Sequence, residues 1–169
     1  MVKATFTRLP KEKQKRIYDQ LVLEFSRHPL AEAKVSHIVA GCGIARGSFY
    51  KYFDDLTDAY RYTLGQVLAT VHSHVPEGGM TPQVAYELVT DFVDKAQKSP
   101  WQGFIKMHFS YNDNAISAPK VDLSLEPEQW LIMLACHDVL RQVAQEPDKK
   151  DQLLALLKKS MEILEKGAK

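Results

Sequence analysis

Four side chains able to bind phosphate or base edges lie close together near the end of the N-terminal third: Arg46, Ser48, Tyr50 and Lys51. Cationic groups attract phosphate oxygens, and hydroxyls donate hydrogen bonds to them. Arg and Lys also pair with guanine in the major groove. On a short helix the four side chains can point outward, whereas Phe49 among them is apolar. The segment therefore predicts a helix that binds nucleic acid.

A second short helix is predicted just before this one, in the segment KVSHIVAGCGIARGSFYKYF over residues 34 to 53. Val35, Ile38 and Val39 follow the i, i+3, i+4 pattern of one apolar helix face. Gly43 stands where that pattern stops, and glycine adopts a left-handed turn without a Cβ penalty. Two short helices around such a turn are typical of a helix-turn-helix. Two ordinary surface helices would give the same bare pattern.

The string GIARGSFYKYF, from Gly43 to Phe53, closely resembles the recognition-helix signature of TetR-family transcriptional regulators, approximately G-V-S-[KR]-G-[ST]-[LF]-Y-x-[YH]-F. The resemblance is dense over about residues 10 to 64. It implies an all-α fold, in which an N-terminal three-helix helix-turn-helix DNA-binding domain is joined by a long helix to a helical ligand-binding and dimerisation domain. We place these domains at residues 1–55 and 56–169.

Eight residues form the predicted DNA-binding set: Lys34, Ser36, Arg46, Gly47, Ser48, Tyr50, Lys51 and Tyr52. The resemblance implies DNA contacts at four of them, Gly47, Ser48, Tyr50 and Tyr52. Arg46 and Lys51 supply charge for phosphates or guanine edges, and Gly47 permits close approach of the helix to the DNA backbone. Lys34 and Ser36 stand at the start of the first helix, where amides and a cation can hold a phosphate.

The chain departs from the family pattern in three places. Ala45 replaces the usual Ser or Thr, so the second helix loses a side-chain N-cap worth ~1 kcal/mol. Lys34 stands where a Thr commonly opens the preceding helix. The family's Ser-Lys-Glu is matched by Asp55-Leu56-Thr57, which lacks the phosphate-binding Lys, and Asp54 and Asp55 would repel DNA if they faced it. These changes favour, as an alternative, a regulator-fold coactivator or adaptor that acts mainly through a protein partner.

The charge distribution separates the N-terminal third from the rest. Residues 1–53 carry ten Lys or Arg against four Asp or Glu, whereas residues 54–169 carry twelve against seventeen. A basic head suits a polyanion, although a solvated basic face would give the same count. No apolar run approaches the ~18 residues of a membrane span. The start lacks a hydrophobic signal core, so we expect a cytoplasmic protein without membrane association.

Nothing in the sequence predicts catalysis, a cofactor or a metal site. Cys42 and Cys136 lack Cys or His neighbours at ligand spacing and are better explained as small buried apolar residues. The six histidines pair with no Ser or Cys nucleophile in a motif context. His72 and His74 face different directions on a helix and cannot share a metal. We therefore expect a protein that is not an enzyme.

Helical periodicity continues to the C-terminus and predicts eight or nine helices and no strand. One continuous helix is predicted from Leu56 to about Ser73, followed by a turn at 76–79. Thr81-Pro82 and Ser99-Pro100 each combine a cap with a proline in the first turn. Residues 112–125 predict a long loop, and the last two helices are predicted from Pro127 to about Gln145 and from Asp148 to about Lys166.

Two further sites are predicted in the second domain. Aromatic and other large side chains can line an apolar effector pocket, or simply pack as core: Trp101, Phe104, Met107, His108, Tyr111 and Trp130. The last two helices carry more apolar residues than one neighbour would cover, which indicates either a subunit interface or a thicker monomer core. The predicted interface residues are Val139, Leu140, Leu153, Leu157 and Met161. The last two helices resemble the paired C-terminal helices that form the dimer interface of TetR-type regulators.

The sequence thus predicts a transcriptional regulator, most simply a repressor. It would bind a palindromic double-stranded DNA operator as a homodimer, and an unidentified small molecule or protein partner would release it. The adaptor described above is the alternative, and binding to a specific operator would separate the two.

Overall fold

The computed structural model describes residues 2–72, 80–113, 116 and 124–167. Nine α-helices and no strand occur in these ranges: α1 (Ala4–Thr7), α2 (Lys11–Arg27), α3 (Val35–Cys42), α4 (Arg46–Tyr52), α5 (Leu56–His72), α6 (Pro82–Gln97), α7 (Gln102–Met107), α8 (Pro127–Gln145) and α9 (Lys150–Gly167). A π-helical turn over His108–Asn112 continues α7, and a 3-10 turn over Pro147–Lys149 precedes α9. The predicted all-α class is confirmed.

Local sequence signals predicted some helix starts correctly and others not. The side chain of Thr81 caps α6 by accepting a hydrogen bond from the Val84 N–H at 3.3 Å, with Pro82 in the first turn. The second predicted cap, Ser99, is wrong, because α7 begins at Gln102 with Trp101 at its N-cap position. The predicted turn at 76–79 lies outside the described residues, as does most of the loop predicted over 112–125.

The chain packs into two compact units. The first comprises Met1–Ala69 and Pro100–Ala118, and the second comprises Thr70–Ser99 and Pro119–Lys169. The start of α5 and all of α7 therefore pack with the N-terminal helices. The division into a DNA-binding domain (1–55) and an effector-binding and dimerisation domain (56–169) concerns function and stays a prediction.

In the first unit α2 is the central helix. Its apolar residues at steps of four, Ile17, Leu21 and Phe25, are all completely buried. Ile38 of α3 and Phe49 of α4 are also buried in this unit, so the two short helices present their apolar sides to the core. Helix α7 packs on the same central helix, because Gly103 lets the two backbones approach closely. A Cβ at Gly103 would lie 3.0 Å from the Cβ of Ser26.

Polar contacts continue this packing beyond the end of α7. The Leu30 N–H donates to Oδ1 of the buried Asn112 at 2.9 Å, which ties the segment after α2 to the π-helical turn. The Tyr60 hydroxyl lies 2.9 Å from Nδ1 of His108. Burial raises the pKa of Tyr60 well above its usual range, so the phenol stays neutral and can donate this hydrogen bond.

The second unit is a three-helix core formed by α6, α8 and α9. Its buried members all come from the periodic apolar positions of these helices: Ala85, Val89, Val93, Ile132, Val139, Val143, Leu153, Leu154, Leu157 and Met161. A cross-helix ion pair accompanies them, with Nζ of Lys150 2.5 Å from Oδ1 of Asp94. Burial raises the pKa of Cys136 in α8 to about 11, so its thiol is neutral and packs as an apolar group.

Gly43 and Gly47 provide a test of the backbone geometry at the turn between α3 and α4. Gly43 has φ of 65°, a left-handed conformation that disfavours any side chain, so Gly43→Ala should destabilise the fold by about 1–2 kcal/mol. Gly47 lies within α4, and a Cβ there would meet nothing within 4 Å. Gly47→Ala should therefore stabilise the fold by up to about 1 kcal/mol. Urea unfolding of both variants checks the opposite signs, and two shifts of the same sign would contradict the assigned turn.

Candidate nucleic-acid interface

The turn between α3 and α4 is closed by backbone hydrogen bonds. Gly43 donates its N–H to the Ala40 carbonyl at 3.2 Å, and Ile44 donates to the Val39 carbonyl at 3.1 Å. Ala45 is the N-cap of α4 and supplies no side-chain hydrogen bond, as its methyl group predicts. Arg46 and Gly47, the first two residues of α4 after this turn, are exposed.

Helix α4 has two distinct faces. Phe49 and Tyr52 are buried on one face, with Phe53 directly after the helix. The side chains of Arg46 and Lys51 are exposed on the other. The helix therefore presents a basic surface to solvent while its aromatic residues hold it to the unit.

The structure exposes most of the predicted DNA-binding set. Arg46, Gly47, Tyr50 and Lys51 form the outer surface of α4, with Ser48 half-buried beside them. Lys34 and Ser36 are exposed at the start of α3. Tyr52 differs, because only 7% of it is exposed and its ring packs edge-on against Phe6. The structure thus gives Tyr52 a packing contact, and its DNA contact stays a prediction.

The end of α4 is held by two residues that the sequence did not single out. Lys3 donates from its backbone N–H to the Tyr52 carbonyl at 3.0 Å and from Nζ to the Tyr50 carbonyl at 2.9 Å. The hydroxyl of Thr5 donates to the Lys51 carbonyl. These donors satisfy carbonyls that a helix end leaves unpaired, and the ammonium favours the negative end of the helix dipole. Nothing in the spacing of residues 1–10 indicates that they meet α4.

The two aspartates after α4 have structural partners. Nζ of Lys3 lies 2.7 Å from Oδ1 of Asp54. Oδ1 of Asp55 accepts the Asp58 N–H at 2.7 Å, and Oδ2 of Asp58 accepts the Asp54 N–H at 3.1 Å. This reciprocal arrangement resembles a capping box and starts α5. Helix capping therefore accounts for Asp55, which stands where the family resemblance leads one to expect a Ser, whereas the position of the expected Lys is occupied by Leu56.

A buried carboxylate supports the start of α3. Glu24 is 6% exposed, and its Oε1 accepts the Lys34 N–H at 2.8 Å. Nδ1 of His37 lies 3.1 Å from the same oxygen. A carboxylate at a helix N-terminus is favourable, and here it comes from α2 rather than from a local cap. Sequence reasoning missed Glu24 because its partners lie ten and thirteen residues away.

The predicted pocket residues separate into the two units. Phe104 is completely buried with its ring 5.3 Å from that of Tyr60, and the His108 side chain contacts the Tyr60 hydroxyl. Trp101 and Met107 are half-buried, whereas Tyr111 is 64% exposed. Trp130 is exposed on α8 and belongs to the second unit. Apart from Trp130, the predicted pocket residues thus lie on α7, on its N-cap residue Trp101 and on the π-helical turn.

The predicted interface residues pack mainly inside their own unit. Val139, Leu153, Leu157 and Met161 are buried in the core of α6, α8 and α9, and Leu140 packs partly buried against it. Other large apolar side chains of α8 and α9 are exposed: Trp130, Leu131, Met133, Leu134, Leu156 and Ile163. The surplus apolar surface that the sequence indicated is therefore present, but on different residues of the same helices.

Comparison with known proteins places this geometry in a structural class. No protein-family model matches the chain, and no curated protein sequence matches it. Solved structures do match. A TetR-family transcriptional regulator from Chloroflexus aurantiacus is 17% identical, with a TM-score of 0.55 over 99% of this chain and 98% of that one.

Two further solved structures are similar to this chain over most of its length. A TetR transcriptional regulator from Rhodococcus sp. RHA1 is 10% identical, with a TM-score of 0.59 over 91% of this chain and 97% of that one. The fatty acid degradation regulator FadR from Bacillus halodurans is 18% identical, with a TM-score of 0.55 over 93% and 96%.

These likenesses show that the chain has the all-α fold of TetR-family transcriptional regulators, as the sequence predicted. Within the described ranges, every helix is too short or too polar to cross a membrane.

Proposed function

We propose that this chain is a DNA-binding transcriptional repressor that binds a palindromic operator as a homodimer and is released by an effector. The observation that carries the proposal is the division of α4 into a buried aromatic face and an exposed basic face, set by a left-handed glycine turn. The fold shared with known regulators supports it.

Each exposed group on α4 has a role that follows from its chemistry. Arg46, in the first turn, is placed to pair with a guanine or a phosphate. Gly47 lets the helix approach the DNA backbone, since no side chain stands between them. Ser48 and Tyr50 can donate hydroxyl hydrogens to phosphate oxygens, and Lys51 adds charge. Lys34 and Ser36 would meet a neighbouring phosphate from the start of α3.

Removing the guanidinium tests the DNA-binding surface directly. Arg46→Ala should weaken binding to the operator by ~1–3 kcal/mol if Arg46 reads a guanine, and by less if it meets only phosphate. The operator is first selected from a random-sequence duplex library, and affinity is then measured by fluorescence anisotropy at fixed salt. Arg141→Ala, which removes an exposed arginine from α8, is the matched control and should bind normally.

A second variant distinguishes an effect on DNA affinity from an effect on the stability of the fold. Gly47→Ala, expected above to stabilise the fold, should nevertheless weaken operator binding because its methyl group stands at the proposed contact. Normal affinity in both Arg46→Ala and Gly47→Ala would remove α4 from the DNA surface. Failure of the wild-type chain to select any duplex would favour the adaptor that acts through a protein partner.

The exposed apolar side chains of α8 and α9 support the homodimer. Ile163 is 70% exposed and Leu156 is 59% exposed, seven residues apart on α9. On α8, Trp130 and Leu134 are exposed four residues apart. Apolar surface gathered on two helices is typical of a protein interface. A two-fold axis through it would present two copies of α4 to half-sites ~34 Å apart on the DNA.

A charge placed in this surface should prevent association. Ile163→Glu and Leu156→Glu should each give monomers in sedimentation velocity, because dimerisation would bury an unpaired carboxylate. Both variants should retain wild-type circular dichroism, since neither residue is buried in the core. Lys158→Glu, at another exposed position of α9, is the control and should remain dimeric. Dimers of normal stability in all three variants would exclude α9 from the interface.

Release by an effector requires a link between the pocket residues and the DNA-binding helices. The packing of α7 on α2 at Gly103 and Ser26 supplies one, and the Leu30–Asn112 hydrogen bond supplies another. An effector that displaces α7 would therefore move α2, on which α3 rests. Such an effector weakens DNA binding only by its differential affinity for the two forms, and DNA weakens effector binding equally.

This link is testable without knowing the effector. Gly103→Ala places a Cβ 3.0 Å from Ser26, so α7 and α2 must separate by a few tenths of an ångström. We expect several-fold weaker operator binding, in the direction an effector would produce. Gly65→Ala in α5 meets nothing within 4 Å and is the control. Equal operator affinities for the two variants would show that α7 does not control the DNA-binding surface.

A further inference from the structure

Three potential metal ligands converge where the end of α2 meets α3. Glu24 and His28 lie four residues apart at the end of α2, and His37 comes from α3. One ligand atom from each lies within 4.8 Å of the other two. We infer that Glu24, His28 and His37 form a binding site for a divalent transition-metal ion, and that zinc is the ion that suits them.

The donor set favours zinc over the other common divalent ions. Two imidazole nitrogens and one carboxylate oxygen are ligands that zinc accepts, with a fourth position left for water. Calcium and magnesium prefer oxygen ligands throughout, so two histidines disfavour them. The site holds no thiolate that would select a softer ion.

The distances require only a small adjustment. Nδ1 of His37 lies 3.1 and 3.2 Å from the two carboxylate oxygens of Glu24. Ligand atoms bound tetrahedrally at ~2.0–2.1 Å from zinc are separated by about 3.3 Å, so this pair already has the right spacing. The rings of His28 and His37 have centroids 5.7 Å apart. Rotation of the half-buried His28 ring completes the set.

The carboxylate is also oriented as a ligand should be. The Lys34 N–H donates to Oε1 of Glu24 at 2.8 Å and so fixes the plane of the carboxylate. Such outer contacts hold metal ligands in place and raise affinity. Glu24 is buried and keeps this orientation without an ion, so little ordering is needed on binding.

The site can be reached from solvent. A partly open pocket of about 340 Å³ is lined by Gln20, Leu23, Glu24, Arg27, His28 and His37. It offers a path for the ion and space for the water that would fill the fourth position. Arg27 brings a positive charge to the pocket, but its exposed, flexible side chain can extend into solvent.

Sequence spacing alone did not predict this site, because His37 is separated from His28 by the loop before α3. A bound ion would join α2 to α3 and stabilise the first unit whether or not α4 binds DNA. The zinc site is therefore independent of the proposed function, and it is tested on the protein in the absence of DNA.

The test uses the full chain after treatment with a chelator. Zinc is titrated by calorimetry, and cobalt(II) is titrated by its visible absorption, which reports nitrogen and oxygen coordination. We expect one ion per chain and a higher melting temperature with zinc, because the ion binds only the folded state strongly. His28→Ala and His37→Ala should each lower zinc affinity about 10-fold or more and remove the zinc-induced rise in melting temperature.

Two controls make the result decisive. His137→Ala removes an exposed histidine of α8 and should bind zinc as the wild type does. A variant in which both His72 and His74 are replaced by alanine should also bind normally. Absence of zinc binding by the wild type would overturn the inference, and so would normal binding by the folded His28→Ala and His37→Ala variants. Loss of binding only in the His72/His74 variant would place the ion elsewhere and equally overturn it.

Discussion

Helix α4 has only seven residues, so it depends on tertiary contacts for its existence. A helix of that length is unstable alone in water. Aromatic rings from three other places provide the contacts: Phe6 of α1 lies 5.2 Å from Phe53, and Phe53 lies 5.7 Å from Tyr62 of α5. Phe49 of α4 packs 5.4 Å from Phe53. Because one face of the helix is fixed in this way, the other can carry polar and flexible side chains without loss of structure.

Long-range polar contacts complete the ends of these short helices. Lys3 and Thr5 satisfy the last carbonyls of α4, and Glu24 accepts the N–H of Lys34, the N-cap residue of α3. Each short helix thereby obtains at one end a hydrogen-bond partner from a distant residue. The contact from Glu24 explains why Lys34 is tolerated where the family resemblance leads one to expect a Thr, whereas the N-cap at Ala45 has no side-chain hydrogen bond. The packing of α3 on α2 also brings Glu24 beside two histidines, and these three residues form the inferred zinc site.

Periodic sequence features predicted the helices well, because a helix depends on interactions between residues that are close in the sequence. The positions of α3, α4 and α8 follow from apolar spacing, proline and the left-handed Gly43, all of which act within a few residues. The signature around α4 likewise identified the exposed basic surface correctly in outline, since Arg46, Tyr50 and Lys51 are exposed. Helix α1 was missed because four residues carry too little periodicity, and Ser99 was misjudged because α7 begins two residues later than the Ser-Pro signal indicates, with Trp101 at its N-cap position.

The sequence by itself determined the all-α class, the turn at Gly43 and the two-faced character of α4, because each depends on residues within one or two helical turns. Only the tertiary structure decided which apolar residues of α8 and α9 are core, burying Leu157 and leaving Leu156 exposed. Periodicity marks an apolar stripe but does not say how much of its width a neighbouring helix covers. The meeting of Glu24 with His37 was decided at the same level, because their contact depends on how α3 packs on α2 and on nothing that either segment encodes alone.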